Sequence, residues 1–177
     1  LHARFETIHP FLDGNGRLGR LLLVFFLIAR GRLDAPLLYL SSYLDDNRRR
    51  YYAALQAINE AGDPDPWFNL FLEAVRSQST DTVERARTII EVRERYRDEA
   101  TTMPTSNGLA VVELLFANPL VTTRLVEDRL GVSRPTAVRL LRQLEERGIL
   151  SATAGGARGQ RRYVAEELVA VVTGSGA

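Results

Sequence analysis

The sequence contains no cysteine and no lysine. Without cysteine, the 177-residue chain has no disulfide, no thiolate metal ligand and no cysteine nucleophile. Without lysine, all 23 basic side chains are arginines, and mechanisms that need a lysine amine are excluded. There are only two histidines, His2 and His9, which argues against a multi-histidine zinc site.

Long apolar runs and an excess of charge are also missing. The longest apolar run, Leu21–Ala29, is far shorter than the ~20 residues that span a bilayer. No signal-peptide pattern opens the chain. A formal net charge of +1 gives no general attraction to nucleic acid or to a membrane surface. We therefore expect a cytoplasmic protein with no membrane partner.

Glycine, proline and hydrophobic periodicity predict an almost entirely helical first part and a mixed second part. No strand pattern appears before residue 145, and a linker at Thr101–Gly108 separates the two parts. Residues 17–30 are hydrophobic on all sides, which predicts a central, buried helix. The predicted helices cover residues 1–8, 17–30, 44–61, 67–96, 109–117, 124–130 and 134–147. Gly62 and Gly131 are predicted to end two of them, Thr122 or Thr123 to cap the helix at 124, and Ser133 to cap the helix at 134. A hairpin with strands at 149–153 and 160–165 and a short last element at 166–172 follow.

Residues 9–20, HPFLDGNGRLGR, concentrate groups that bind phosphate. The Gly14–Gly16 turn allows successive backbone N–H groups to point the same way, and it leads into a helix N-terminus that also favours an anion. Arg17 and Arg20 are spaced i and i+3, so both guanidinium groups lie on one face near that end. Two such groups beside a turn of this kind suit a polyphosphate.

Two further side chains complete this candidate site. Asp13 can hold a Mg²⁺ ion that bridges phosphate oxygens, and His9 is the one candidate general base nearby. Each feature alone has a purely structural explanation, as a turn, a solvated arginine or a loop histidine. Two cations at a helix N-terminus are nevertheless unfavourable unless an anion is bound there.

This segment resembles the signature of the Fic family, His-x-Phe-x-Asp/Glu-Gly-Asn-Gly-Arg-x-x-Arg, and matches it at every defined position. The resemblance continues through Leu40–Leu44, Asn47–Tyr52 and Trp67–Val75. Family members place a β-hairpin flap and further helices before the motif. We therefore expect residues 1–78 to be the C-terminal part of a Fic core.

The resemblance implies an enzyme that transfers AMP from Mg-ATP to a Ser, Thr or Tyr hydroxyl of a protein. In that reaction His9 would deprotonate the attacking hydroxyl and Asp13 would hold Mg²⁺ on the phosphates. Transfer of a different group, such as UMP or phosphocholine, stays open, because the motif specifies phosphate handling better than it specifies the base.

The resemblance also implies which residues bind the nucleotide. They are Gly14, Asn15, Gly16, Arg17, Arg20, Tyr51, Tyr52 and Asn59. Arg17 would meet the β-phosphate and Arg20 the γ-phosphate, and the other three side chains would line the adenosine pocket. The alternative for Tyr51 and Tyr52 is that they are core aromatics.

Residues 107–173 resemble a winged helix-turn-helix, with the glycine-rich hairpin as the wing. Its third helix is predicted to face the core with Ala137, Val138, Leu141 and Leu144. The candidate DNA-binding residues are Arg134, Thr136, Arg139, Arg142, Arg158 and Arg161. From Thr105 onward, nine arginines oppose seven acidic residues, which is a weak basic footprint. DNA binding and protein docking therefore both remain open.

The sequence thus predicts a mostly α protein with three parts. These are the Fic core segment at 1–78, a linking helix and linker at 79–104, and a winged helix-turn-helix at 105–177 with a small β-hairpin wing. The first hypothesis is a protein adenylyltransferase that uses ATP and Mg²⁺ on a hydroxyl-bearing protein. The alternative is a nucleotide-sensing transcriptional regulator that binds DNA, and a homo-oligomer is compatible with either.

Overall fold

The computed structural model describes residues 1–153 and 161–174, and it divides the chain into two compact units. The first unit is Leu1–Glu84 and the second begins at Arg85, so the division falls inside one long helix. Among the described residues, no helix combines the length and the apolar character needed to cross a bilayer.

The first unit is entirely helical in secondary structure. Its elements are α1 (His2–Ile8), α2 (Asn15–Ala29), α3 (Leu40–Asp46), α4 (Arg48–Ala61) and the first part of α5 (Asp65–Thr101). Gly62, in the left-handed conformation at φ 66°, ends α4 as the sequence predicted. The single helix predicted over 44–61 is wrong, because α3 and α4 separate at Asn47. The Asn47 amide donates to the Tyr43 carbonyl at 2.9 Å, and such local bonding competes with a continuous helix.

Helix α2 is not the fully buried helix that its composition predicts. It packs against α1 and α3, and its buried positions are Asn15, Gly19, Leu23 and Val24. Phe25 on another face remains 49% exposed. The error arises because hydrophobicity on all sides does not tell which side a neighbouring element covers. The helix also begins two residues earlier than predicted, at Asn15.

The core of the first unit lies where α2, α3, α4 and α5 meet. Its largest buried side chains include Leu40, Leu44, Trp67 and Leu70. On α4 the buried tyrosine is Tyr51, whereas Tyr52 is 53% exposed. The packed face of α4 therefore includes Tyr51 and Leu55 but not Tyr52.

The second unit combines a small three-stranded sheet with several helices. After the end of α5 come α6 (Asn107–Ala117), β1 (Leu120–Thr122), α7 (Thr123–Leu130), α8 (Arg134–Glu146), β2 (Ser151–Thr153), β3 (Arg162–Val164) and α9 (Glu166–Thr173). Strand β3 lies between β1 and β2, and both pairings are antiparallel. The two strands of the predicted hairpin are confirmed, and its tip at 154–160 lies outside the described residues.

Strand β1 shows that the expectation of no strand before residue 145 is wrong. It has three residues, and its Val121 pairs with Tyr163, far along the chain. So short a strand carries no period-2 pattern of its own, and its partner is not local. Only the completed tertiary structure defines it.

The predicted capping is confirmed at α7, whereas at α8 Ser133 occupies the N-cap position and its side chain makes no capping bond. Thr122 accepts a hydrogen bond from the Leu125 N–H at 3.2 Å at the start of α7, and Gly131 ends that helix at φ 64°. Helix α8 buries Leu140 and leaves Val138 only partly buried, so the predicted core face is wrong at one position. The predicted fold class, mostly α with a small antiparallel sheet beside a helix-turn-helix, is confirmed.

Candidate functional site

The loop between α1 and α2 is held by the side chain of Asn15. This side chain is almost fully buried; its Oδ1 accepts from the Phe11 N–H at 2.9 Å and its Nδ2 donates to the Phe11 carbonyl at 2.6 Å. An asparagine is suited to this position because it offers one acceptor and donors on the same group. The Asn15 side chain therefore shapes the loop, while its backbone N–H stays available at the helix start.

The start of α2 leaves several backbone N–H groups outside the hydrogen-bond ladder of the helix. The first bond of the helix runs from the Leu18 N–H to the Gly14 carbonyl at 2.9 Å. The N–H groups of Asn15, Gly16 and Arg17 therefore precede the intrahelical ladder. Gly14 stands at φ 82°, a conformation that favours glycine, and directs the chain into this turn.

Asp13 and Arg17 lie together at the rim of the loop. The Asp13 Oδ1 accepts from the Gly14 N–H at 2.6 Å, and its Oδ2 lies 3.3 Å from the Arg17 guanidinium. Both side chains are largely exposed, at 92% and 77%. An ion pair this exposed contributes little to stability. Both groups can therefore turn toward a ligand at small cost.

Arg20 is held more firmly than Arg17. Its side chain is only 13% exposed, its Nε donates to the Ser41 hydroxyl at 3.4 Å, and it lies 3.5 Å from the Asp45 carboxylate. Helix α3 thus supplies two groups that position this arginine. The sequence analysis missed both, because only the folded chain brings α3 beside the first turns of α2.

His9 stands at the C-terminal end of α1 in the left-handed conformation, at φ 48° and ψ 57°. It is exposed, and its Nδ1 lies 3.4 Å from the Glu6 carbonyl. Because a carbonyl only accepts, this contact favours the tautomer with the hydrogen on Nδ1. The Nε2 atom is then the unprotonated one and is able to take a proton.

Behind the loop, His2 forms a buried connection between four helices. Its Nδ1 donates to the Gly19 carbonyl at 3.0 Å, so its Nε2 accepts from the Tyr51 hydroxyl at 2.8 Å. Its ring stacks on Trp67 at 4.7 Å. Burial lowers the pKa of His2 from 6.5 to about 4.

Of the two tyrosines predicted in the adenosine pocket, only Tyr52 faces a cavity. Tyr51 lies in the core against His2, and burial raises its pKa above the ordinary value. For Tyr51 the structure therefore shows the core position that the sequence left as the alternative. Asn59 lies on the surface of α4, where its Oδ1 accepts from the Thr7 hydroxyl at 3.1 Å.

Two adjoining cavities open beside His9. The first, of about 470 Å³, is lined by His9, Asp13, Gly14, Asn15, Gly16, Arg17, Arg20, Asp45, Arg48 and Tyr52, among others. The second, of about 410 Å³, is lined by Thr7, Gln56, Asn59 and Glu60, among others. Both cavities are lined by His9, Gly16 and Tyr52, so they adjoin each other, and together we call them the cleft. We call them the phosphate cavity and the polar cavity.

The residues of the phosphate cavity fit a Mg²⁺ ion that is shared with phosphates. In the described part of the chain, no three His, Asp or Glu side chains cluster as a metal cage made only of protein groups requires. Mg²⁺ is, however, commonly bound by one or two carboxylates together with substrate phosphates. The exposed Asp13 carboxylate supplies one such ligand.

In the second unit, the arginines predicted to bind DNA are only partly available. Arg134, Arg139 and Arg142 are exposed on α8. Thr136 is partly buried and its hydroxyl lies 3.0 Å from that of Ser133. The remaining predictions lie on the wing, where Arg161 pairs with Glu145 at 3.2 Å and Arg158 is outside the described residues.

Comparison with known proteins gives two family matches. Residues 1–27 match the model of the Fic/DOC family, and residues 105–153 match the model of the IclR helix-turn-helix domain. The chain is therefore similar to the Fic/DOC family over residues 1–27 and to a helix-turn-helix domain over residues 105–153. The matched Fic segment contains α1, the loop with His9 and nearly all of α2.

Part of the chain is also similar to a curated relative. Over 59 residues the chain is 42% identical to a probable protein adenylyltransferase, aq_aa38, of Aquifex aeolicus (strain VF5). The match covers 33% of this chain and 16% of that protein. The chain thus spans about a sixth of the length of this relative.

Proposed function

We propose that this chain contains the phosphate-binding and catalytic part of a Fic-type protein adenylyltransferase. The observation that supports this most directly is the phosphate cavity. It combines a histidine, a carboxylate, the open N-terminus of α2 and two arginines in one place. These are the groups that a nucleotidyl transfer needs, because such transfers depend on positioning and charge neutralisation.

The proposed reaction transfers AMP from ATP to a side-chain hydroxyl of a target protein. The Nε2 of His9 takes the proton of the hydroxyl as its oxygen attacks the α-phosphorus. The bond between the hydroxyl oxygen and the α-phosphorus forms while the bond from that phosphorus to the bridging oxygen breaks. Pyrophosphate leaves with the electron pair, and Arg17 and Arg20 balance its charge.

Asp13 would hold Mg²⁺ against the phosphates, where the ion supplies charge neutralisation when bound. The N–H groups of Asn15, Gly16 and Arg17 would hold the phosphate oxygens by direct donation. Arg20 is already fixed by Ser41 and Asp45, so it loses little conformational freedom when a phosphate binds. The neighbouring polar cavity, with Thr7 and Asn59, would take the nucleoside.

The test is transfer of radioactive label to proteins of a cell extract by the full chain with Mg²⁺. ATP labelled at the α-phosphate should label a protein, whereas ATP labelled at the γ-phosphate should not. His9→Ala should abolish labelling and keep ATP binding, and Arg49→Ala, an exposed neighbour of the site, serves as the matched control. Label from α-labelled UTP and not from ATP would replace AMP by UMP, and γ-label on protein would contradict nucleotidyl transfer.

A second candidate function is nucleotide-dependent DNA binding by the helix-turn-helix domain. The exposed Arg134, Arg139 and Arg142 on α8 favour it, because a recognition helix reads the major groove through such side chains. A gel shift on the DNA upstream of the coding sequence should fall steeply with salt and be weakened by Arg139→Ala. DNA binding that is insensitive both to salt and to Arg139→Ala would argue that this domain docks to a protein instead.

A further inference from the structure

The phosphate cavity contains a third arginine that is outside the signature segment. Arg48 is the first residue of α4, and it lines this cavity together with Arg17 and Arg20. It does not line the polar cavity. The inference below rests on the proposed function, because it assigns Arg48 a part in the same nucleotide site.

Arg48 differs from the other two arginines in its charged surroundings. Arg17 pairs with Asp13 and Arg20 with Asp45. Within residues 1–153 and 161–174, no carboxylate lies within ion-pair distance of Arg48. Of the three arginines that line the phosphate cavity, Arg48 is thus the one whose charge is not balanced by a carboxylate of the described residues.

The position of Arg48 in α4 is unfavourable without an anion. It is the first of three successive arginines at a helix N-terminus, and the first turn contains no acidic residue. The helix dipole disfavours positive charge there. Arg50 is compensated by Glu73 at 2.9 Å, which leaves Arg48 at the cavity and Arg49 next to it. An anion in the phosphate cavity would offset this cost.

The geometry of Arg48 suits a fixed anion-binding group. Its guanidinium carbon lies 5.5 Å from the centre of the Tyr52 ring, a cation–π arrangement. A cation–π contact uses none of the guanidinium N–H groups as hydrogen-bond donors, so they remain free to bind oxygens. Tyr52 thus orients Arg48 without using its hydrogen bonds.

The order of residues along α4 also shows which end of the cleft Arg48 occupies. Asn59, in the polar cavity, follows Arg48 by eleven residues on α4, which is about 16 Å along the axis. Tyr52 lies between them and lines both cavities. If the nucleoside occupies the polar cavity, Arg48 lies at the opposite end of the cleft, where the phosphate chain ends.

We propose that Arg48 binds the terminal phosphate of the nucleoside triphosphate and thereby makes the site select triphosphates over diphosphates. Arg17 would still meet the β-phosphate and Arg20 the γ-phosphate, and Arg48 would add a second contact to the terminal phosphate. Arg48 is a specificity-determining residue in this account. The loss of its contact should affect a triphosphate and leave a diphosphate largely unaffected.

The experiment measures dissociation constants of Mg-ATP and Mg-ADP by calorimetry on the full chain. Arg48→Ala should weaken ATP binding roughly tenfold, the usual effect of one charge-assisted hydrogen bond, and change ADP binding less than about twofold. Arg49→Ala removes the same charge from the adjacent position and should change both constants less than about twofold. Arg48→Gln repeats the test with a side chain of similar helix propensity, and circular dichroism verifies the fold of each variant.

Three results would overturn the proposal. Equal losses for ATP and ADP would place Arg48 on an inner phosphate, and equal effects of the Arg48 and Arg49 variants would reduce its role to general attraction. Unchanged ATP binding in both Arg48 variants would remove it from the site. If the unmodified chain binds neither nucleotide, the proposed function itself fails, which the control measurement on the unmodified chain shows separately.

Discussion

Removal of the imidazole of His2 should change how the stability of the first unit depends on pH. His2 is 5% exposed, and its burial lowers its pKa from 6.5 to about 4. Arg20 lowers it further by charge repulsion, while the bond to the Gly19 carbonyl acts in the opposite direction. In the folded protein the ring is therefore neutral down to weakly acidic pH.

The sign and size of the effect follow from proton linkage. Between pH 6.5 and about 4 the unfolded chain binds a proton at His2 that the folded chain does not, so stability falls as pH falls through this range. A difference from 6.5 to about 4 corresponds to about 3 kcal/mol. The contribution is fully present above pH 6.5 and is lost below pH 4.

The assay is urea denaturation followed by the fluorescence of Trp67, the one tryptophan of the chain. Because Trp67 lies in the first unit and stacks on His2, its transition reports on that unit without assuming that both units unfold together. We compare the full chain with His2→Gln, which keeps a donor and an acceptor but does not titrate. The unmodified chain should lose about 3 kcal/mol more than the variant between pH 7 and pH 4.

The comparison cancels the contributions of every group that the two proteins share. Parallel curves for the two proteins would refute the reasoning, since they would show that His2 is accessible to protons in the folded state. A steeper loss in the His2→Gln variant would refute it equally.

Three further outcomes follow from the packing. Asn15→Ala should cost about 2 kcal/mol of unfolding free energy in urea denaturation and abolish ATP binding in calorimetry, because the loop loses both bonds that hold it. Gly19→Ala should lower stability by about 1–3 kcal/mol in the Trp67 assay, because the added Cβ would overlap the Glu6 carboxylate. In the second unit, Leu140→Ala should cost about 2–5 kcal/mol by circular dichroism, and Val138→Ala clearly less. Stability unchanged by Asn15→Ala, or a larger cost at Val138 than at Leu140, would contradict the packing described.

The sequence predicted the helix ends that depend on local chemistry. Gly62, Gly131 and Thr122 end or begin helices as expected, because a left-handed glycine or a capping hydroxyl acts within a few residues. The sequence also predicted that the residues of segment 9–20 meet in one place, since they belong to a single loop and the first turns of one helix.

Features that depend on contacts between residues far apart in the sequence could not be predicted. Strand β1 is defined by β3, and the exposure of Phe25 on α2 depends on which neighbours cover that helix. The choice between Tyr51 and Tyr52 for the core is decided by His2, which lies 49 positions away in the sequence from the tyrosine it binds. The hydrophobic periodicity of α4 is compatible with burial of either tyrosine. The contact with His2 determines that Tyr51 is the buried one.

The most direct test of the central claim is an NMR titration of the ¹⁵N-labelled 177-residue chain with Mg-ATP. We expect the backbone amide resonances of Asn15, Gly16 and Arg17 to shift most, together with those near Arg20. AMP, which lacks the β- and γ-phosphates, should shift these amides far less. Amide resonances of residues 15–17 that stay in place at saturating Mg-ATP would contradict a phosphate site at the start of α2.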